Sequence, residues 1–140
     1  MKTYSDLQAI EYPLPVHLEL EMVGCPEFTL TVNNVATDYH QSDSLVFDYK
    51  FDLSKTFAIS IELKNKDYYS PQETAIKITA LSIDNTDIFP RYGYLAEYVN
   101  DHNFTDATNY LGFNGKWTLT IDRPFYRWLH KHTGQGWLLD

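Results

Sequence analysis

Cysteine is almost absent from this chain: Cys25 is the only one among 140 residues, so no disulfide can form within it and the fold is not a disulfide-stapled scaffold. Basic residues are scarce. Eleven Lys and Arg face nineteen Asp and Glu, a formal net charge of −8. That balance disfavours binding along a phosphate backbone, which needs clustered cations. Apolar runs are only a few residues long, too short to span a bilayer as a helix. No internal repeat or low-complexity tract stands out. Met1-Lys2-Thr3-Tyr4-Ser5-Asp6 leads into no apolar stretch of signal-peptide length, so the expected site of synthesis is the cytoplasm, with a virion as the further destination. On that reading the sequon Asn103-Phe104-Thr105 is incidental.

Catalytic signatures are lacking as well. No GxSxG elbow, HExxH helix or phosphate-binding glycine loop occurs, and Cys25 lies in Gly24-Cys25-Pro26, where a small, partly buried turn residue is expected. His130 and His132 would diverge on a helix, and no cysteine pair accompanies them or His40 and His102. The chain is therefore read as non-catalytic.

What is abundant is alternation. Val16, Leu18, Leu20 and Met22 alternate with polar residues, as do Phe28, Leu30 and Val32. The series Leu45, Phe47, Tyr49, Phe51, Leu53 and the series Phe57, Ile59, Ile61, Leu63 repeat the pattern, and Trp117, Leu119, Ile121 close it. Period two places successive side chains on opposite faces of a strand. Over 74–83 the apolar phase slips from Ile76 and Ile78 to Leu81 and Ile83, which predicts a β-bulge near Thr79-Ala80. Turn chemistry recurs at Asn33-Asn34, Ser54-Lys55, Asp84-Asn85 and Asn114-Gly115. At this length the pattern predicts one domain over 1–140, an all-β, antiparallel β-sandwich of jelly-roll type.

Two segments depart from it. Residues 84–113 lack clean alternation and read as one long irregular loop, rich in Tyr, Asn and Asp. In 122–134, Asp122 and Pro124 can open a short C-terminal helix that Gly134 ends, with Phe125, Trp128 and Leu129 on one face.

Aromatic residues number 22, and their distribution is uneven. Tyr92, Tyr94, Tyr98 and Tyr110 fall in the irregular segment, while Tyr39, Tyr68 and Tyr69 fall near other turns. A tyrosine ring has an apolar body and a polar tip, which suits stacking on sugars. With Asn103, those four tyrosines form the candidate ligand-binding set. Asp84, Asp87 and Asp101 supply the oxygens a hard cation prefers, so calcium is the one cofactor the chain suggests. The loop from Asp101 is no EF-hand, because its sixth position is Asp106 where glycine is needed.

Charge is uneven too: residues 84–115 carry −4, whereas 116–140 carry +2 and all three tryptophans. Arg123, Arg127, Trp128 and Trp137 are thus candidates for docking a protein partner or a second copy of the chain.

The segments Phe28-Thr29-Leu30-Thr31-Val32-Asn33 and Asn114-Gly115-Lys116-Trp117, with the polar Tyr-rich loops, resemble small jelly-roll carbohydrate-binding modules. They are similar also to small β-sandwich proteins of bacteriophage particles. The first resemblance implies a glycan ligand. The second implies a structural or assembly protein, and the two expectations point to different surfaces.

Overall fold

The computed structural model describes residues 2–3, 13–53, 56–89, 96–100, 109–122, 125, 128 and 137–138. Its strands are β1 (Lys2–Thr3), β2 (Pro13–Val23), β3 (Glu27–Val32), β4 (Val35–His40), β5 (Leu45–Asp52) and β6 (Phe57–Leu63). They continue with β7 (Ala75–Ile83), β8 (Thr86–Phe89), β9 (Glu97–Asn100), β10 (Tyr110–Leu111), β11 (Gly115–Ile121) and β12 (Trp137–Leu138). Two antiparallel sheets form the body. One runs β10-β7-β2-β5, with β8 also on β7; the other runs β4-β3-β6-β11-β9. A separate parallel pair joins β1 to β12.

The alternation read from the sequence becomes the packing. Leu14, Val16, Leu18 and Leu20 of β2 turn inward with Ile76, Ile78, Leu81 and Ile83 of β7. Phe28, Leu30, Ile59, Ile61, Trp117 and Leu119 meet them from the other sheet. A strand with one buried and one wet face keeps its register, since a one-residue slip would invert every side chain. The expected bulge is present: Glu19 pairs with Ala80 and Leu20 with Ile78, so Thr79 is the extra residue. Its hydroxyl donates to the Glu19 carbonyl at 3.1 Å. This extra residue lets Ile76, Ile78, Leu81 and Ile83 all face the core despite their change of parity.

Among the described elements, direct hairpins join only β3 to β4 and β7 to β8. Their turns are Asn33-Asn34 (φ 48° and 72°) and Asp84-Asn85 (φ 49° and 60°). Asn and Asp tolerate this left-handed backbone better than other side-chain-bearing residues, and tight two-residue hairpins require it. Every other link between consecutive strands from β2 to β11 crosses from one sheet to the other.

Three expectations need correction, and a fourth falls mostly outside the described residues. The stretch 84–113 is not one irregular loop, since β8, β9 and β10 lie within it; residues 90–95 and 101–108 are outside the described set. The strands escaped detection because they are short and because β9 buries Tyr98 and Asn100 while exposing Val99, an inverted polarity. Of the expected turn pair Asn114-Gly115, only Asn114 lies before β11, because Gly115 already pairs with both Leu63 and Asn100. Of the helix expected over 122–134, only Asp122, Phe125 and Trp128 are described, with Phe125 and Trp128 in helical conformation, and the rest of the span lies outside the described residues. Phe125 and Trp128 are buried core residues with rings 6.1 Å apart, and the Phe125 amide donates to the Leu53 carbonyl at 3.0 Å. Finally, Cys25 is exposed rather than partly buried.

Candidate functional site: the loop end of the sandwich

The 64–74 segment leaves β6 and enters β7, and its polar side chains specify its path. Lys64 donates its amide to the Glu27 carbonyl at 2.9 Å. Asn65 accepts from the Glu27 amide at 2.8 Å and donates to the Cys25 carbonyl at 3.3 Å, tying this loop to the β2–β3 connection. Asp67 accepts the Tyr69 amide at 2.9 Å, and Ser70 accepts the Gln72 amide at 3.1 Å; such local turns hold a backbone that no sheet partner holds. Lys66, largely buried, is ion-paired with Glu73.

The 112–114 segment is clamped to this loop. Asn114 acts as a surrogate strand: its side-chain oxygen accepts the Lys66 amide at 2.7 Å and its side-chain nitrogen donates to the Lys66 carbonyl at 3.1 Å. The Asn114 amide donates to the Tyr68 hydroxyl at 2.9 Å, and the Tyr68 ring lies 6.2 Å from Phe113. Gly115 is required where β9 crosses close by. A Cβ there would overlap the Val99 carbonyl oxygen and the Asn100 Cα.

Tyrosines stand on this ordered platform. Tyr69 is 98% exposed, Tyr68 is partly exposed, and Tyr110 is 42% exposed opposite Lys77 of β7. Burial of its inner edge, with the nearby Glu73 carboxylate, raises the Tyr110 hydroxyl above its ordinary pKa of 10.0, so it is a neutral hydrogen-bonding group at physiological pH. Rings with polar tips, set among the Lys66–Glu73 pair and side-chain amides, can stack on a flat apolar ligand face and hydrogen-bond its hydroxyls.

The residues anticipated from sequence are dispersed. Tyr110 belongs to this end. Tyr98 does not act as a ligand surface: it is 5% exposed, and its hydroxyl is committed to the backbone of Phe113. Tyr92, Tyr94, Asn103 and Asp101 lie outside the described residues. Asp84 and Asp87 sit around the β7–β8 turn, about 23 Å along β7 from Tyr110 at the rise of an extended strand. Asp84 serves there as a turn residue with φ 49°. Among the described residues no three His, Cys, Asp or Glu converge as metal ligands, and of the three candidate calcium ligands Asp101 lies outside the described set.

Trp128 is 2% exposed and is therefore a core residue rather than a docking residue. Arg123 and Arg127 lie outside the described set, and Trp137 is described only by its backbone, in β12. Tyr68 and Tyr69 were visible in the sequence as turn residues. The signal that marks them as a display loop is the flanking Asp67 and Ser70, each of which accepts the backbone amide two residues on.

No protein-family model matches the chain, and no curated protein matches it. Among solved structures, the chain is similar to vCBM60 in complex with galactobiose, with a TM-score of 0.51 and 11% identity over 76% of this chain and 99% of that one. A second structure of vCBM60, described with two families of calcium-dependent carbohydrate-binding modules, aligns at a TM-score of 0.49 and 13% identity, over 76% of this chain and 89% of that one. The likeness is one of fold: the chain is a β-sandwich of the kind on which carbohydrate-binding modules are built.

Proposed function

We propose that the protein is a non-catalytic glycan-binding module whose sugar-stacking surface is the loop end carrying Tyr68, Tyr69 and Tyr110. The observation that carries this reading is the almost complete exposure of Tyr69 on a loop whose backbone is held by hydrogen bonds at Asn65, Asp67, Ser70 and Asn114. Large aromatic side chains are normally withdrawn from water. An ordered loop that presents one favours a ligand with an apolar face, and a rigid ring loses little conformational entropy on binding. The fold supports the reading, since vCBM60 is a sandwich of the same kind in complex with galactobiose. A net charge of −8 repels uronate and sulfated chains, so the ligand class is a neutral glycan.

Affinity electrophoresis through a panel of neutral polysaccharides, galactans included, tests the assignment, with calcium and with chelator. The chain is retarded by at least one gel, and Tyr69→Ala and Tyr110→Ala each weaken retention by about tenfold, as loss of an aromatic anchor does. Absence of retention in every gel, or alanine variants that run as the parent does, refutes it.

A further inference from the structure

At the opposite edge from β9 and β10 the two sheets part. β4 and β5 are both edge strands, and among the described residues neither has a strand on its outer side. Between them lies a cleft of about 290 Å³. Val35, Thr37 and Tyr39 of β4 face Phe47, Tyr49 and Phe51 of β5 across it, over a floor that includes Leu30 and Val32. These are inward-facing positions: Phe47 pairs with Leu18, Tyr49 with Val16 and Phe51 with Leu14, all buried. At this edge the same face is open to water, leaving Tyr49 64% and Val35 65% exposed. The three β5 rings cluster, with centroids 5.4 to 6.2 Å apart.

The β5 edge is regular along its length. β5 pairs with β2 through all eight of its residues without a register shift, and it contains no proline or glycine. Soluble sheets normally interrupt such an edge, because its outward N–H and C=O groups template another strand. The charged side chains on the outer faces are mostly acidic: Asp38 on β4, Asp48 and Asp52 around Lys50 on β5, with Asp43 between the strands, beside the uncharged Ala36 and Val46. Thr29 and Lys64 contact only Oδ1 of Asp38, and His17 contacts only Oδ1 of Asp48. A carboxylate has capacity for further donors on its other oxygen.

We propose that this cleft accepts an extended strand from a partner polypeptide, added to the free edge of β5, with apolar side chains at alternate positions and Lys or Arg between them. Main-chain hydrogen bonds to β5 continue the sheet. The alternate apolar side chains enter the cleft between the Tyr49 cluster and Val35, and the basic ones lie on the outer face beside Asp48. Charge selects this occupant over a second copy of the chain, whose edges would carry the same excess of acidic over basic side chains.

The test uses the full chain and an eight-residue peptide, the length of β5, alternating lysine and isoleucine. Fluorescence anisotropy measures binding, and amide hydrogen exchange locates it. The peptide binds saturably and the β5 amides gain protection. Tyr49→Lys and Val35→Lys, both at exposed positions, weaken binding by about tenfold or more. A glutamate–isoleucine peptide binds at least as much more weakly. The proposal is overturned if the basic peptide does not bind, or binds without protecting β5. It is overturned equally if the acidic peptide binds as well, or if sedimentation shows the chain self-associating in a manner that Tyr49→Lys abolishes. Competition by a neutral oligosaccharide at this edge would assign the cleft to sugar and refute it too.

Discussion

Tyr98 and Phe113 are joined through a single hydroxyl. The Tyr98 hydroxyl donates to the Phe113 carbonyl at 2.7 Å and accepts from the Phe113 amide at 3.1 Å, satisfying both backbone groups of one residue that no strand pairs. The buried ring on β9 thereby fixes the segment that carries Asn114 and packs against Tyr68. Tyr98→Phe keeps the ring and removes the bridge. Leaving a part-buried donor and acceptor unmatched costs about 1–3 kcal/mol. Urea denaturation is expected to show that loss, with faster amide exchange at Phe113 and Asn114. An unchanged midpoint would mean that water replaces the hydroxyl without cost.

Gly115 starts β11 between two neighbours, Leu63 of β6 and Asn100 of β9. Because a Cβ at this position meets β9 backbone rather than a movable side chain, Gly115→Ala must push β9 away. A destabilisation of about 1–3 kcal/mol is expected, the range for overpacking. Thermal unfolding measures it. Lys116→Ala, the next residue and an exposed one, serves as the control and changes little.

His17 lies on the outer face between two carboxylates, with Nδ1 2.6 Å from Asp48 Oδ1 and Nε2 3.6 Å from Glu19 Oε2. The Asp48 hydrogen bond is the main cause that raises its pKa above 6.5, against a smaller opposing effect of burial. A raised folded-state value means that the stabilisation is fully present below 6.5 and is lost as pH rises through the folded value. The group is half-exposed, so the contribution is small, about 0.2–1 kcal/mol. His17→Gln should therefore lower the urea midpoint in acid and match the parent at alkaline pH. An equal deficit at both pH values would make the effect one of packing.

Asn34 stands at φ 72° in the β3–β4 hairpin. Glycine adopts that conformation without steric cost, whereas a β-branched residue is strained there. Asn34→Gly is expected to hold or slightly raise stability, and Asn34→Val to lower it by about 1–2 kcal/mol. Chemical denaturation of the pair decides the point. A valine variant as stable as the parent would show that the turn rearranges freely.

The strands that bury one full face were legible in the sequence because burial imposes alternation on them. β2, β3, β5, β6, β7 and β11 could each be traced from side-chain polarity, and even the Thr79 bulge appeared as a change of parity. The turns of the two hairpins were legible for a similarly local reason, since a left-handed turn selects Asn and Asp. β4 was not, because as an edge strand its side chains are largely exposed and its composition is unconstrained. The site divided along the same line. That tyrosines would be displayed follows from their number and their place near turns. Which ones are displayed depends on contacts between segments far apart in the chain: β9 draws Tyr98 into the core, while Asn114, 48 residues from Lys66, holds the loop that leaves Tyr69 in water. Local chemistry determined the strands and turns, because each is specified by neighbours in the chain. The identity of the exposed faces was decided only by the packing of one sheet on the other, which withdraws some rings from solvent and leaves others at an edge or a loop end.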